Sequence, residues 1–428
     1  MRILYTYMTI NNKFLILPLV LLLAGRAAAQ QQLTLDWDGA RRLALANNPS
    51  VKAARASAEQ AGYNYLAELN SYLPQVSLSN GVSRGRGDTA NSWSASIRAS
   101  ESLLNLGTVS AVKTSRIARE KAEADYLAAS AAARQALAGA FADLLFAQKG
   151  IEVQKKILSI RQENARLIRL KYESGMESKG NALYTEALAE NSSVSVKKAE
   201  RQLATAQRSL LEAIGLEGNA QVRANGDISV PAFALDEARL NRALEKSPGI
   251  VSAKKTLESI KEKTSAARYD AYPTLSASQG YSWSGDSEFP QTPGWSLGLS
   301  LSLPIFSGGP TRYFNALSAA KRSLTAAEQK FKAARIALAA SLRSGYDDYL
   351  SAAETALASV SLLRANEERF KEAQIKYMAG KISFIDLENV EQNFVDSDLN
   401  QLNYARAAHS RKLALEQLLG VGIEEQTI

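Results

Sequence analysis

The 428 residues carry 51 Lys and Arg against 43 Asp and Glu, a formal charge of +8, with no Cys, one His and 7 % aromatic residues. So mild and dispersed a charge argues against a nucleic-acid partner. The missing thiols exclude disulfides, thiolate metal ligands and the amino-terminal acylation of a lipoprotein.

Arg2 and Lys13 precede the apolar run Phe14 to Leu23, and Ala27-Ala28-Ala29 follows. Positive, then apolar, then small residues over 1–29 read as a secretory signal cleaved before Gln30, translated from Met1 or Met8 and too short for a membrane-spanning helix. Without Arg2, Lys13 and Arg26 the mature chain holds 48 basic against 43 acidic residues, or +5. No later segment approaches about 18 consecutive apolar residues, so the exported chain is either soluble or inserted in a membrane as strands.

An internal repeat organises the rest. Asn48-Pro49-Ser50-Val51 answers Ser247-Pro248-Gly249-Ile250, and Tyr72-Leu73-Pro74 answers Ala271-Tyr272-Pro273, both 199 residues on; Tyr172-Glu173-Ser174-Gly175 answers Tyr377-Met378-Ala379-Gly380, 205 residues on. Two units result, 30–215 and 236–420, with a linker at 216–235 and a tail at 421–428. Each begins with a short helix and a second helix restarted by Pro49 or Pro248. Two strands follow, about 75–84 and 92–104 in the first unit and 274–284 and 294–304 in the second.

The strands alternate strictly. Trp295, Leu297, Leu299, Leu301 and Leu303 alternate with Ser296, Gly298, Ser300 and Ser302, while Trp93, Ala95, Ile97 and Ala99 alternate with Ser94, Ser96, Arg98 and Ser100. About ten residues, apolar on one face and small and polar on the other, match a membrane barrel with lipid outside and water inside. Trp93, Trp283 and Trp295 lie near the turns, where aromatics mark a membrane interface. Four strands cannot close a barrel, and an open edge in lipid leaves backbone groups unbonded, so several chains must share one.

After the strands each unit continues as a helix of about 64 residues, 108–171 and 312–376, spanning about 100 Å at about 1.5 Å per residue. It turns at Gly175 or Gly380, whose residue type suits a left-handed cap, and returns to Gly215 or Gly420. Val153, Ile157, Ile160, Asn164, Leu167 and Lys171 follow a heptad seam, and the polar Asn164 and Lys171 suggest that one side faces water.

In these features the chain resembles the TolC-type outer-membrane efflux proteins over nearly its whole mature length. The signals are the duplication, the Pro-marked strand entries, the exit Leu301-Ser302-Leu303-Pro304-Ile305-Phe306-Ser307-Gly308-Gly309, and Tyr377-Met378-Ala379-Gly380-Lys381-Ile382-Ser383-Phe384-Ile385-Asp386-Leu387 at the periplasmic turn. The resemblance implies a mainly helical homotrimer with a twelve-strand outer-membrane barrel continued by a twelve-helix periplasmic tunnel. It further implies docking to a periplasmic adaptor and to an inner-membrane pump, of RND or ABC type, that supplies the energy.

The family closes its periplasmic tip with acidic rings and polar links. Asp386 matches the first ring; Asn389 stands where some members have a second Asp, Asn181 where an acidic linking residue occurs, and Ile382 where a basic partner occurs. Asp386 also has a plain alternative as an early-turn residue favourable to its helix dipole. Ser178, Ser383, Leu183 and Leu387 flank the Gly175 and Gly380 turns and are candidate adaptor contacts. Tyr172 and Tyr377 either link helices there or pack in the seam, and His409 reads as a surface or seam residue.

No catalytic, cofactor or metal constellation is present, so an enzyme is not expected. A rival reading, an exported structural coiled coil or adhesin, leaves unexplained four amphipathic strands at matching points of two repeats.

Overall fold

The computed structural model describes residues 33–87, 90–218, 220–228, 236–305, 309 and 311–424. The expected signal, residues 229–235, the strand exit Phe306-Ser307-Gly308, and the last four residues of the tail lie outside them.

The two units repeat one plan. Strand β1 (Leu33–Leu35), helices α1 (Trp37–Asn47) and α2 (Pro49–Leu69), strands β2 (Gln75–Ser83) and β3 (Ser92–Leu104), and helices α3 (Leu106–Glu173) and α4 (Lys179–Ile214) make the first. Strand β4 (Val222–Ala224), helices α5 (Glu237–Lys246) and α6 (Pro248–Tyr269), strands β5 (Thr274–Gly285) and β6 (Thr292–Ser302), and helices α7 (Arg312–Met378) and α8 (Phe384–Leu419) make the second. With 68 residues, α3 is about 102 Å long at about 1.5 Å per residue.

β2, β3, β5 and β6 form one antiparallel sheet in that order. Each strand runs almost directly into a long helix or out of a short one, so sheet order becomes helix order: α2 packs on α3, α3 on α6 and α6 on α7. Farther from the sheet, α4 pairs with α3 and α8 with α7, while α8 also leans on α3. Thus α3 is an unbroken spine flanked by pieces.

The pieces meet end to end at glycines. Gly215 and Gly420 end α4 and α8 in the left-handed region, at φ 85° and 81°, where a side chain is strained. A Cβ on Gly215 would stand 2.8 Å from the Asn47 carbonyl oxygen, and one on Gly420 2.3 Å from Cδ of Pro248. Asn48 caps α2 through its side-chain oxygen while its Nδ2 donates to the Ala213 carbonyl at 2.8 Å, joining α2 to the end of α4. The densest core lies at this level, with Leu137, Leu144, Leu210, Ile214 and Val222 all fully buried.

Two expectations change here. The 216–235 stretch is not a bare linker: β4 pairs in parallel with β1, and Val222 and Ala224 are buried. Within the tail, Val421 and Ile423 are buried, and the Ile423 N–H donates to the Ser130 hydroxyl at 3.0 Å.

Gly420→Ala should therefore destabilise the protein by about 3 kcal/mol or more, combining left-handed strain with the Pro248 collision, whereas Gly380→Ala, with open space around it, should cost about 1 kcal/mol. Calorimetric melting of the two variants, with the larger drop for Gly420→Ala, checks the junction.

Candidate functional site

The sheet forms one end of the molecule. Cross-strand pairing puts Val76, Leu78 and Val82, Trp93, Ala95, Ile97 and Ala99, Leu275, Ala277, Tyr281 and Trp283, and Trp295, Leu297, Leu299 and Leu301 on a single face. Leu78, Leu297 and Trp295 are more than 70 % exposed, so nothing among the described residues covers this face. Asn80, Gln279 and Glu101 share it as polar interruptions. On the opposite face, Ser, Gly and Thr fill nearly every position, and Arg98 is the one charged side chain among the paired residues there. Trp93, Trp283 and Trp295 all lie on the apolar face toward the hairpin turns, and Trp283 sits edge-on to Tyr281 at 4.7 Å. Tyr72, Tyr272 and Phe314, all exposed, mark the other end of the sheet, a belt the sequence reading passed over because they lie outside the alternating runs.

The second site is the far tip, where α3 turns into α4 and α7 into α8. Gly175 and Gly380, at φ 72° and 69°, end the descending helices. Ser178 caps α4 by accepting from the Asn181 N–H. Ser383 caps α8 within a full capping box: its hydroxyl accepts from the Asp386 N–H, and its own N–H donates back to Asp386 Oδ2 at 3.0 Å. The Ser383 hydroxyl, then its N–H, hold the Asp386 carboxyl below its ordinary range, although the residue is exposed. Asn389 is exposed one turn on.

The acid that links the two turns is Glu177, which sequence reasoning missed. Its Oε2 accepts from Tyr377 Oη at 2.6 Å and its Oε1 from Asn181 Nδ2 at 2.8 Å. Lys171 closes the knot, donating to the Tyr377 carbonyl at 2.8 Å and lying over its ring at 3.8 Å. Burial disfavours ionised Glu177, but Tyr377, the Ser178 N–H, Asn181 and Lys171 outweigh it and hold the carboxyl below its ordinary range. Burial and the Glu177 charge push the Tyr377 phenol well above its usual value. Asn181 thus supports the linking acid rather than replacing it. Tyr172, the counterpart of the buried Tyr377, is 39 % exposed.

Higher up, Asn164 is buried rather than water-facing, donating from Nδ2 to Glu391 Oε2 and accepting from Gln374. Lys171 likewise points into the tip knot. Arg161 joins the same cluster, donating to Ser192 at 3.1 Å and Gln392 at 3.0 Å. Burial pushes the Glu391 carboxyl up, against the opposing pull of Asn164 and Arg161. Leu387 also needs correction as an adaptor contact. It is 2 % exposed and packs with Phe384, Phe394 and Ile168, whereas Leu183 is 56 % exposed. At the 205-residue offset Leu183 corresponds to Glu388, one position and about 100° around the helix from Leu387. His409 lies in the seam, edge-on to Phe146 at 5.6 Å.

An amphipathic sheet at one end, about 100 Å of paired helix and a polar knot at the other define the protomer of an outer-membrane channel. The chain belongs to the outer membrane efflux protein family, whose model matches residues 40–216 and 239–421. It is 22 % identical over 410 residues to the outer membrane protein TolC of Vibrio cholerae, covering 89 % of this chain and 90 % of that one. It is 23 % identical over 403 residues to the cation efflux system protein CusC of Escherichia coli, covering 89 % and 85 %. A crystal structure of CusC superposes with a TM-score of 0.81 at 17 % identity over 90 % of this chain and 92 % of that one. The protein is accordingly a transport channel and not an enzyme, placed in the outer membrane with most of its length in the periplasm.

The two carboxyls titrate with opposite consequences. Glu177, held low, contributes stability at neutral pH that is lost as pH falls through and below the ordinary carboxylate range; Glu391, pushed up, costs stability as pH rises past that range. Hydrogen exchange between about pH 4 and about pH 7, corrected for intrinsic rate, should show residues 174–182 better protected at the higher pH. Tyr377→Phe should remove about 1 to 2 kcal/mol of that protection. Glu391→Gln should abolish the opposite trend in α8 around residue 391.

Proposed function

We propose that three copies of this chain form the exit duct of a tripartite efflux or type I secretion system, a passive conduit gated at its periplasmic tip. The observation that carries the reading is the four-stranded sheet with an uncovered apolar face and two unpaired edges, β2 and β6. In lipid each unpaired backbone group costs several kcal/mol, and joining β6 of one copy to β2 of the next removes every edge. Three copies give a twelve-strand barrel. At about 3.3 Å per residue the 11 residues of β6 reach about 36 Å, which at the usual tilt of about 45° crosses an apolar band of about 25 Å. Trp93, Trp283 and Trp295 then stand at the outer interface, and residues 1–29 supply the export signal.

The helices extend the barrel as a twelve-helix tunnel. Its tip is held by the Glu177–Tyr377 knot and lined by Asp386 and Asn389, and Gly175, Ser178, Leu183, Gly380 and Ser383 face the periplasmic adaptor. An inner-membrane pump of RND or ABC type provides the driving force. Two relatives carry metal cations in their names, the cation efflux system protein CusC of Escherichia coli and the cobalt-zinc-cadmium resistance protein CzcC of Cupriavidus metallidurans.

The capping box favours a second role for Asp386, as a helix cap. The two are separable in a planar bilayer. Three Asp386 carboxylates around one axis repel one another and attract cations, so a small cation-preferring conductance should grow and lose its pH and divalent-ion sensitivity in Asp386→Ala. An unchanged conductance with a lower melting temperature would leave Asp386 a cap alone. Failure of the wild type to insert or conduct would sink the duct.

A further inference from the structure

The internal duplication specifies which side chains meet across the boundary between two copies. From Leu137 to Gly215 the first unit corresponds to the second at a constant offset of 205, and their burial agrees: Leu137 with Leu342, Leu144 with Tyr349, Leu210 with Leu415 and Ile168 with Ala373 are buried at both positions. Within the chain, α3 packs along α8. Among the described elements none packs along the equivalent face of α7, and in a closed ring the element that reaches it is α4 of the next copy. The seam between copies is then the α3–α8 seam written with the units exchanged.

Three contacts of the α3–α8 seam, and one from α3 to α7 at the tip, translate. Arg406 donates to Asp143 at 2.9 Å; the equivalents are Asp348 and the partner's Arg201, with the acid on the long helix and the base on the returning helix in both. Ile157 packs with Leu399; the equivalents are Leu362 and the partner's Val194, 58 % and 57 % exposed in the single chain. Asn164 bonds Glu391; the equivalents are Arg369 and the partner's Glu186, an ion pair. Lys171 donates to the Tyr377 carbonyl; the equivalents are Lys376 and the partner's Tyr172. Asp348, Leu362, Arg369 and Lys376 stand 14, 7 and 7 residues apart, one stripe of a heptad helix, and all four are exposed. α7 also carries Leu357 and Val360, 63 % and 52 % exposed, where α3 has Glu152 and Lys155.

We propose that this α7 stripe docks a second copy of the chain along its α4, in the register Asp348 to Arg201, Leu362 to Val194 and Arg369 to Glu186. The proposal rests on the ring assembly above and adds its register. Where α3 and α8 bury an uncharged amide against Glu391, the seam between copies holds a charge pair, and at the tip Ile382 faces the partner's Tyr172 with no carboxyl in the place of Glu177.

The absence of cysteine makes the test direct. Leu362→Cys with Val194→Cys, oxidised in outer membranes, should give covalently linked oligomers on denaturing gels. Ile157→Cys with Leu399→Cys should give only an internally linked monomer. Asp348→Arg should lower the salt concentration at which the oligomer dissociates, and adding Arg201→Asp should restore it. An oligomer by light scattering with no 362–194 link and no charge rescue overturns the register and leaves the ring; a protein monomeric under every condition overturns both.

Discussion

Helix α3 is the constraint to which everything else is registered. It runs unbroken from the sheet to the tip, and α2, α4, α6 and α8 all pack against it. Because its neighbours come as pieces, the pieces must end where α3 does not. Gly215 and Gly420 meet that demand, turning the chain in a conformation open to glycine while leaving space for the next helix's first residues. The buried core therefore gathers at the junctions, where helix ends, β1, β4 and the residues after α8 converge, and again toward the tip, around Ile168, Phe370 and Phe394.

Both extremities depend on what surrounds the chain. At the sheet the pairing of β3 with β5 joins the two units, yet the apolar face gains nothing from the rest of the protomer. At the tip the two turns are tied by polar groups whose ionisation opposes itself, with Glu177 favouring neutral pH and Glu391 resisting it.

Features that recur locally were legible in the sequence. Two-residue alternation located the four strands within about two residues at most boundaries, and the paired glycines located the turns. Long-range pairings were not. Glu177 sits in a turn with nothing local to distinguish it, and its partner Tyr377 is 200 residues away. Asn164 looked like a wetted seam position because its acceptor, Glu391, belongs to the other unit. Leu183 and Leu387 both flank a turn, but the repeat aligns the buried Leu387 with Ala182, and burial is not legible from nearness to a turn. Strand β4 has three residues, too few for a period, and exists because β1 offers an edge above the junction core.

The sheet's second face is a wall of hydroxyls and bare backbone. Serine and glycine present water with partners no better and no worse than water itself, and they offer no grip to an aromatic ring, an alkyl chain or a multivalent ion. A solute passing such a wall would not be held there, so a conduit built this way discriminates by girth and by the field of the single Arg98 on each sheet. In the ring proposed above, selection of cargo would fall to whatever loads the duct at its other end, and the same wall would pass loads of quite different chemistry.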